Sequence, residues 1–428
     1  MRRRVLWVSL AVTVLSLAGV VGWVGYRDHR ADTYFDGAMA RLRAPLSEAP
    51  GLDRIQASTA ISLLERARAA GRTDRATEGW AAYARALEDY QRGDLVLAEG
   101  ELASARHRLG SEPDLDVLAA AVASGRSQPE QAETMLARAL ERSPDHVLGH
   151  LLAADLALDA EDGETAMTHL APLLEAHRDV ACVHNRVGLA RELEGDLDAA
   201  MEAYITAVER DGRAHDAWIN LGRLDRRAGR HTRALEDFGR AVTAADTNGD
   251  AYLGRGLARA ATGDLTGAQV DFNRSAELSP NDAEPLLALG DLLRDTGRHE
   301  EAVATYRRAI AREDADAASW LKLGNALALL EQYGESGEAF RQALERAPEL
   351  AAALNGLGAS LMHTGDLESA SVALGRAAEL DVTDPNPLMN LALLHERSGD
   401  APAARDAWSR ALERDPSSGI ARRRLARL

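Results

Sequence analysis

Residues 215–241 read HDAWINLGRLDRRAGRHTRALEDFGRA, and the spacing of Trp218, Leu221, Gly222, Gly229, Ala234, Phe238 and Ala241 within them decides the fold. Moved forward by 34 residues, the same frame finds Tyr252, Gly256, Gly263, Ala268, Phe272, Ser275 and Pro280. A second shift finds Leu286, Leu289, Gly290, Gly297, Ala302, Tyr306 and Ala309, and a third finds Trp320, Leu323, Gly324, Ser336, Phe340, Ala343 and Pro348. The register runs on through Leu354 and Leu388 and back through His184, His150 and Asp116. Ten repeats of 34 residues therefore fill 79–418 without an insertion. Self-similarity at such a period means stacked supersecondary units, each too small to bury its own apolar face.

Each repeat reads as two helices. The first carries a small residue, Ala86, Ala120, Ala154, Gly188, Gly222, Gly256, Gly290, Gly324, Gly358 or Ala392. The second carries Ala or Ser from Ala98 to Ala404, with Ser336 in the eighth repeat. Four residues on stands a large side chain: Leu102, Leu136, Leu170, Tyr204, Phe238, Phe272, Tyr306, Phe340, Leu374 or Trp408. Two antiparallel helices approach closely only where one contact layer is small, and the large residue fills the space beside that layer. Gly195-Asp196, Gly263-Asp264, Gly365-Asp366 and Gly399-Asp400 suit the turn between helices, because Gly accepts positive φ and Asp caps the next helix. Pro144, Pro280, Pro348 and Pro416 fall where a second helix must stop.

These residues and spacings resemble the tetratricopeptide repeat family over about four fifths of the chain. The resemblance implies an all-α α-solenoid, a right-handed superhelix of helical hairpins whose concave face binds extended peptides or partner helices. Departures occur in the first three repeats, which have Ala for Gly. Trp80 stands in the aromatic slot of the first, two residues out of step, and Pro172 inside a second helix is expected to kink it.

Arg2, Arg3 and Arg4 precede an uncharged run from Val5 to Tyr26, 22 residues long. That is roughly 33 Å of helix against a hydrocarbon core of about 30 Å. Trp7, Trp23 and Tyr26 sit near its ends, where aromatic rings prefer the interface. The expected organisation is a cytoplasmic N-terminus at 1–4 and one transmembrane helix at 5–26 in the lipid bilayer. A helical linker or degenerate hairpin at 27–78, the repeats at 79–418 and a capping helix at 419–428 follow. In the linker, Thr33–Arg43 and Ile61–Ala70 read as helices separated by Pro45 and Pro50. In the cap, Ala421, Leu425 and Leu428 line one face and Arg422, Arg423, Arg424 and Arg427 the other. The positive charge ahead of the anchor keeps the N-terminus inside and exports the rest, so the repeats are expected in the periplasm of a bacterial inner membrane. A signal peptide cut after Ser16-Leu17-Ala18 is the rival reading. Ala18 and Gly22 give a small-xxx-small pair on which two anchors can pack as a homodimer.

The formal net charge of −17 argues against nucleic acid, whose binders need a basic face. Cys182 is the only cysteine, so no internal disulfide and no cysteine-based zinc site is available; a half-buried small side chain or an intermolecular disulfide remains. Gly254-x-Gly256 has Arg259 where a nucleotide loop needs its third glycine. Asp246, Asn248 and Asp250 open like a calcium loop, but Ala251 and Leu257 replace its glycine and bidentate acid. His395-Glu396 lacks the second histidine of a zinc protease helix. The expectation is therefore no enzyme, no catalytic residues, no metal and no cofactor.

By the resemblance, the first helices line the groove and present Asn185, Asn220, Arg223, Arg226, Lys322, Asn325, Asn355, Met389 and Asn390 to a protein or peptide partner. Asparagine offers a peptide backbone both a donor and an acceptor, although it is also simply tolerated on a polar surface. No Lys/Arg pair follows Lys322 two repeats on, which disfavours a clamp for an acidic chaperone tail. The function expected is a non-catalytic scaffold for envelope assembly, secretion or maturation. A structural subunit of a membrane enzyme complex and a cytoplasm-facing adaptor are the alternatives.

Overall fold

A computed structural model describes residues 33–34, 52–69, 72–312 and 316–428. Among them are 22 helices and no strand. Helix α1 (Leu52–Ala69) precedes ten helix pairs. The first five are α2 and α3 (Arg75–Arg92, Leu95–Leu109), α4 and α5 (Pro113–Gly125, Pro129–Arg142), α6 and α7 (Val147–Asp159, Gly163–Ala176), α8 and α9 (Ala181–Leu193, Leu197–Arg210), and α10 and α11 (His215–Arg227, His231–Ala244). The next five are α12 and α13 (Gly249–Thr262, Leu265–Leu278), α14 and α15 (Glu284–Asp295, His299–Ile310), α16 and α17 (Ala317–Leu329, Tyr333–Arg346), α18 and α19 (Ala351–Thr364, Leu367–Leu380), and α20 and α21 (Asn386–Arg397, Ala401–Arg414). Helix α22 (Gly419–Leu425) closes the array. The chain divides into two compact units, Met1–Ala228 with Thr243–Ala245, and Gly229–Val242 with Asp246–Leu428. Each is an α-helical repeat solenoid.

The small and large positions meet as the spacing predicts. A Cβ placed on Gly188 would fall under 3.0 Å from the Tyr204 ring, and the same holds for Gly256 against Phe272, Gly290 against Tyr306 and Gly324 against Phe340. Two further glycines meet a ring from the next first helix, Gly254 against Phe238 and Gly356 against Phe340. The Gly254-x-Gly256 pattern is thus a packing device: its two glycines face two successive rings. Tyr204, Phe272, Tyr306, Phe340 and Trp408 are all buried.

The turns follow the sequence equally closely. Gly195, Gly263, Gly365 and Gly399 take φ of 82°, 91°, 95° and 74°. The aspartates that follow accept the N–H of Ala199, Gly267, Ser369 and Ala403 at 3.0, 2.9, 3.1 and 3.1 Å. Pro144, Pro280, Pro348 and Pro416 each stand two residues beyond a second helix. Pro172 does not end α7, which continues to Ala176 on the buried side chains of Leu170 and Leu173.

The second linker helix, read from Ile61, begins at Leu52, directly after Pro50-Gly51. Its Ala57, Ala60, Leu64 and Ala67 are buried, a 3.6-residue stripe, and α1 packs on α2. Of the first linker helix only Thr33 and Tyr34 are described, and they are helical. At the far end Ala421 is buried beside Ala407 and Trp408, with Leu425 and Leu428 packed against them. The anchor expected at 5–26 lies outside the described residues. Among those described, no helix is long and apolar enough to cross a membrane.

Candidate partner-binding surface

Successive first helices touch one another, α4 with α6 and α6 with α8 in the first unit, α16 with α18 and α18 with α20 in the second. Side chains on this layer meet at two sequence separations. At 35 residues, Asn220 Nδ2 donates to Asn185 Oδ1 at 3.0 Å. In the second unit Asn390 Nδ2 donates to Asn355 Oδ1 at 2.9 Å, again 35 residues apart. At 31 residues, Arg186 grips Asp155 through two bonds of 2.6 and 2.9 Å, and Arg223 reaches Glu192 at 3.2 Å. Lys322 pairs with Asp291, also 31 residues back. One repeat plus one residue and one repeat less three differ by about one helical turn, so both separations mark a single facing stripe.

The carboxylates on this stripe are shared. Glu192 accepts from Tyr204 Oη at 2.7 Å and from Arg227 at 3.0 Å as well as from Arg223. Asp291 accepts from Tyr306 Oη at 2.6 Å and faces Arg294 at 3.2 Å. Glu396 accepts from Trp408 Nε1 at 2.8 Å and from Arg424 at 2.9 Å. In each case the polar head of the large second-helix residue finds its acceptor on the first helix. Burial, and then the adjoining carboxylate, push the Tyr204 phenol up, and the same two causes act on Tyr306, so both remain donors.

Residues 118–181, 188–249 and 219–283 match a family described as tetratricopeptide repeat. The chain carries tetratricopeptide repeats. Residues 284–417 match the C-terminal domain of cilia and flagella-associated protein 70. Among solved structures, the human IFIT1 dimer with m7Gppp-AAAA is 14% identical with a TM-score of 0.51, over 95% of this chain and 94% of that one. YrrB, described as a TPR protein with an unusual peptide-binding site, is 18% identical with a TM-score of 0.40, over 45% of this chain and 100% of its own. Pseudomonas aeruginosa pilF is 17% identical with a TM-score of 0.45, over 51% and 100%. These likenesses concern the fold. No curated protein matches the chain.

On these tetratricopeptide repeats the nine expected groove residues fall into four groups. Asn185, Asn220, Asn355 and Asn390 make the two rungs. Arg223 and Lys322 are held by carboxylates of the preceding repeat. Met389 is half-buried against Trp408 and the capping helix, with the Ser418 hydroxyl 3.8 Å from its sulfur. The side chains of Arg226 and Asn325 make no hydrogen bond or ion pair among the described residues, and Asn325 is exposed. Glu192, Asp291 and Glu396 were not anticipated. Their signal was the polar atom on Tyr204, Tyr306 and Trp408, which needs an acceptor once the ring is buried. Cys182 is half-buried, and burial pushes its thiol up, which makes it a poor nucleophile. Among the described residues no group of three or more His, Cys, Asp or Glu side chains is placed to hold a metal ion.

Proposed function

We propose that this chain is a non-catalytic scaffold that holds an extended segment of another protein against its first helices. In this reading residues 5–26 anchor it in a bacterial inner membrane and the repeats lie on the periplasmic side, serving envelope assembly, secretion or maturation. The observation that carries the binding role is the pair of asparagine rungs. Where Asn185 and Asn355 stand, the other eight repeats have an apolar or aromatic residue, from Tyr83, Val117 and Leu151 to Leu321. Packing is therefore served by hydrocarbon at this position, and an amide there calls for another reason. Each rung uses one amide hydrogen and one carbonyl lone pair internally. The Nδ2 hydrogens of Asn185 and Asn355 and the carbonyl oxygens of Asn220 and Asn390 remain for a ligand, the donor and acceptor that a peptide unit complements.

The test is a crosslinked pull-down from native membranes with the full chain, compared with Asn220→Ala/Asn390→Ala. One dominant partner that disappears in the double variant supports the reading. A partner that persists refutes the rungs as its site. Topology is tested separately with Val372→Cys in a Cys182→Ser background, since Val372 is 71% exposed. Labelling by an impermeant thiol reagent admitted only to the periplasm supports export; protection, with labelling after lysis, overturns it.

A further inference from the structure

His150 on α6 and His169 on α7 bring two imidazoles together within one helix pair of the first unit. Their Nδ1 atoms are 3.2 Å apart and their ring centroids 5.5 Å. The Nε2–H of His150 donates to the Pro144 carbonyl at 2.7 Å, so the proton sits on Nε2 and the Nδ1 lone pair faces His169. That carbonyl bond is a recurring fitting of the repeat. His184 makes it to the Arg178 carbonyl at 2.9 Å and Trp218 Nε1 to the Gly212 carbonyl at 3.0 Å, both six residues back. The fitting accounts for His150 and for His184. It does not account for His169, whose counterparts one and two repeats on are Ala203 and Asp237.

Two nitrogens each about 2.0–2.1 Å from one ion, and separated as these are, subtend roughly 100° at it, between square-planar and tetrahedral. A backbone carbonyl on the far ring nitrogen is what ordinarily orients a metal-bound histidine, and His150 already has one. Both rings are half-buried, so water has access to the remaining coordination positions.

We propose that His150 and His169 form a two-nitrogen site for a divalent transition-metal ion, cupric ion first and nickel or zinc after it, which staples α6 to α7. Imidazole suits these ions, and copper heads the affinity order for a site of given donors. Binding needs His169 to carry its proton on Nε2, a tautomer change that leaves the charge of a neutral ring unaltered. The staple lies one repeat ahead of Asn185 and stiffens the helix pair on which α8 packs.

Titration of the tag-free full chain with cupric ion, read by electron paramagnetic resonance, tests this. The expected result is one tight ion per chain whose spectrum shows two imidazole nitrogens. His169→Ala should weaken binding at least tenfold and leave a single-nitrogen spectrum. His150→Trp copies Trp218, retaining the carbonyl bond while deleting the ligand, and should weaken binding as much with the fold intact by circular dichroism. His184→Ala removes an equivalent carbonyl bond and should leave the tight site unchanged. Unaltered binding in His169→Ala and His150→Trp, or no two-nitrogen species in the wild type, overturns the proposal.

Discussion

Asn185 and Asn220 in the first unit and Asn355 and Asn390 in the second occupy the same two positions five repeats apart, yet their surroundings are opposite in kind. Two turns on from the first asparagine of each rung and one turn on from the second, the first unit has Glu192 and Arg223 where the second has Met362 and Leu393. Arg227 bonds the Glu192 carboxylate at 3.0 Å; Arg397, at the matching place, bonds the Met362 backbone carbonyl at 2.8 Å. Where the first unit buries Arg186 against Asp155, the second has Gly356 and exposed Asn325. Gly188 meets the flat ring of Tyr204, and Gly358 meets the branched Leu374. The repeat thus constrains backbone approach and turn geometry while leaving the facing stripe free to be charged or apolar. An element found unchanged in both surroundings, as the rungs are, is not dictated by either.

The largest expected effect lies in the first unit alone. Arg186→Ala leaves the Asp155 carboxylate, whose side chain is 4% exposed, without its bidentate partner. Breaking a buried pair in this way costs about 3–5 kcal/mol, whereas replacing both partners by leucine recovers most of the loss. Urea denaturation followed by circular dichroism measures both. A loss under about 1 kcal/mol for Arg186→Ala would mean that water or the other contacts of Asp155 take over the arginine's role.

Next in size is a contrast between the units. Gly188→Ala drives a methyl group into the Tyr204 ring, which has no room to turn, and overpacking of this kind costs about 1–3 kcal/mol. Gly358→Ala meets Leu374 instead. Ala86 with Leu102, Ala120 with Leu136 and Ala154 with Leu170 already use that combination in the first unit, so the leucine has a compatible arrangement. Alanine's helix propensity also returns about 0.8–1 kcal/mol relative to glycine. Gly358→Ala should therefore lie within about 1 kcal/mol of wild type. Equal losses at the two sites would sink the idea that the shape of the large residue selects the small one.

The rungs themselves should differ more modestly. Asn220 is 7% exposed and Asn390 is half-buried. Asn220→Ala is expected to lower stability by about 1–2 kcal/mol and Asn390→Ala by about 1 kcal/mol or less, since water more readily replaces the lost bond in the second unit. The reverse order would show that the Asn185 amide finds another partner.

The period was legible from the recurrence of one frame at 34-residue shifts, and helix pairing, turns and helix ends because each depends on residues within one repeat, such as Gly195-Asp196 or Pro280. The stripe was legible only in composition. Lys322 reads as a free cation until Asp291 is placed beside it, and nothing local joins residues 31 apart; the register must be known before that separation means one turn back on the preceding helix. The start of α1 was misplaced for a related reason. Its buried stripe of Ala57, Ala60, Leu64 and Ala67 is mostly alanine, which carries little hydrophobic signal even though its helix propensity is the highest.

The smallest effect is the strictest test of equivalence between the units. The turn between the two helices of every repeat passes through one residue of positive φ. Seven are glycines, and the exceptions are Ser127, Glu161 and Glu331, at φ of 60°, 60° and 59°. Glu161 and Glu331 are the same position five repeats apart. A side chain in the left-handed region costs about 1–2 kcal/mol, and glycine surrenders about 0.4–1 kcal/mol through the greater freedom of its unfolded chain. Glu161→Gly and Glu331→Gly should each raise stability by about 0.5–1 kcal/mol, and by matching amounts, because the turn is built from local backbone alone. Unequal gains would show that the turn is coupled to the stripe beside it, which is charged in the first unit near Glu192 and apolar in the second near Met362.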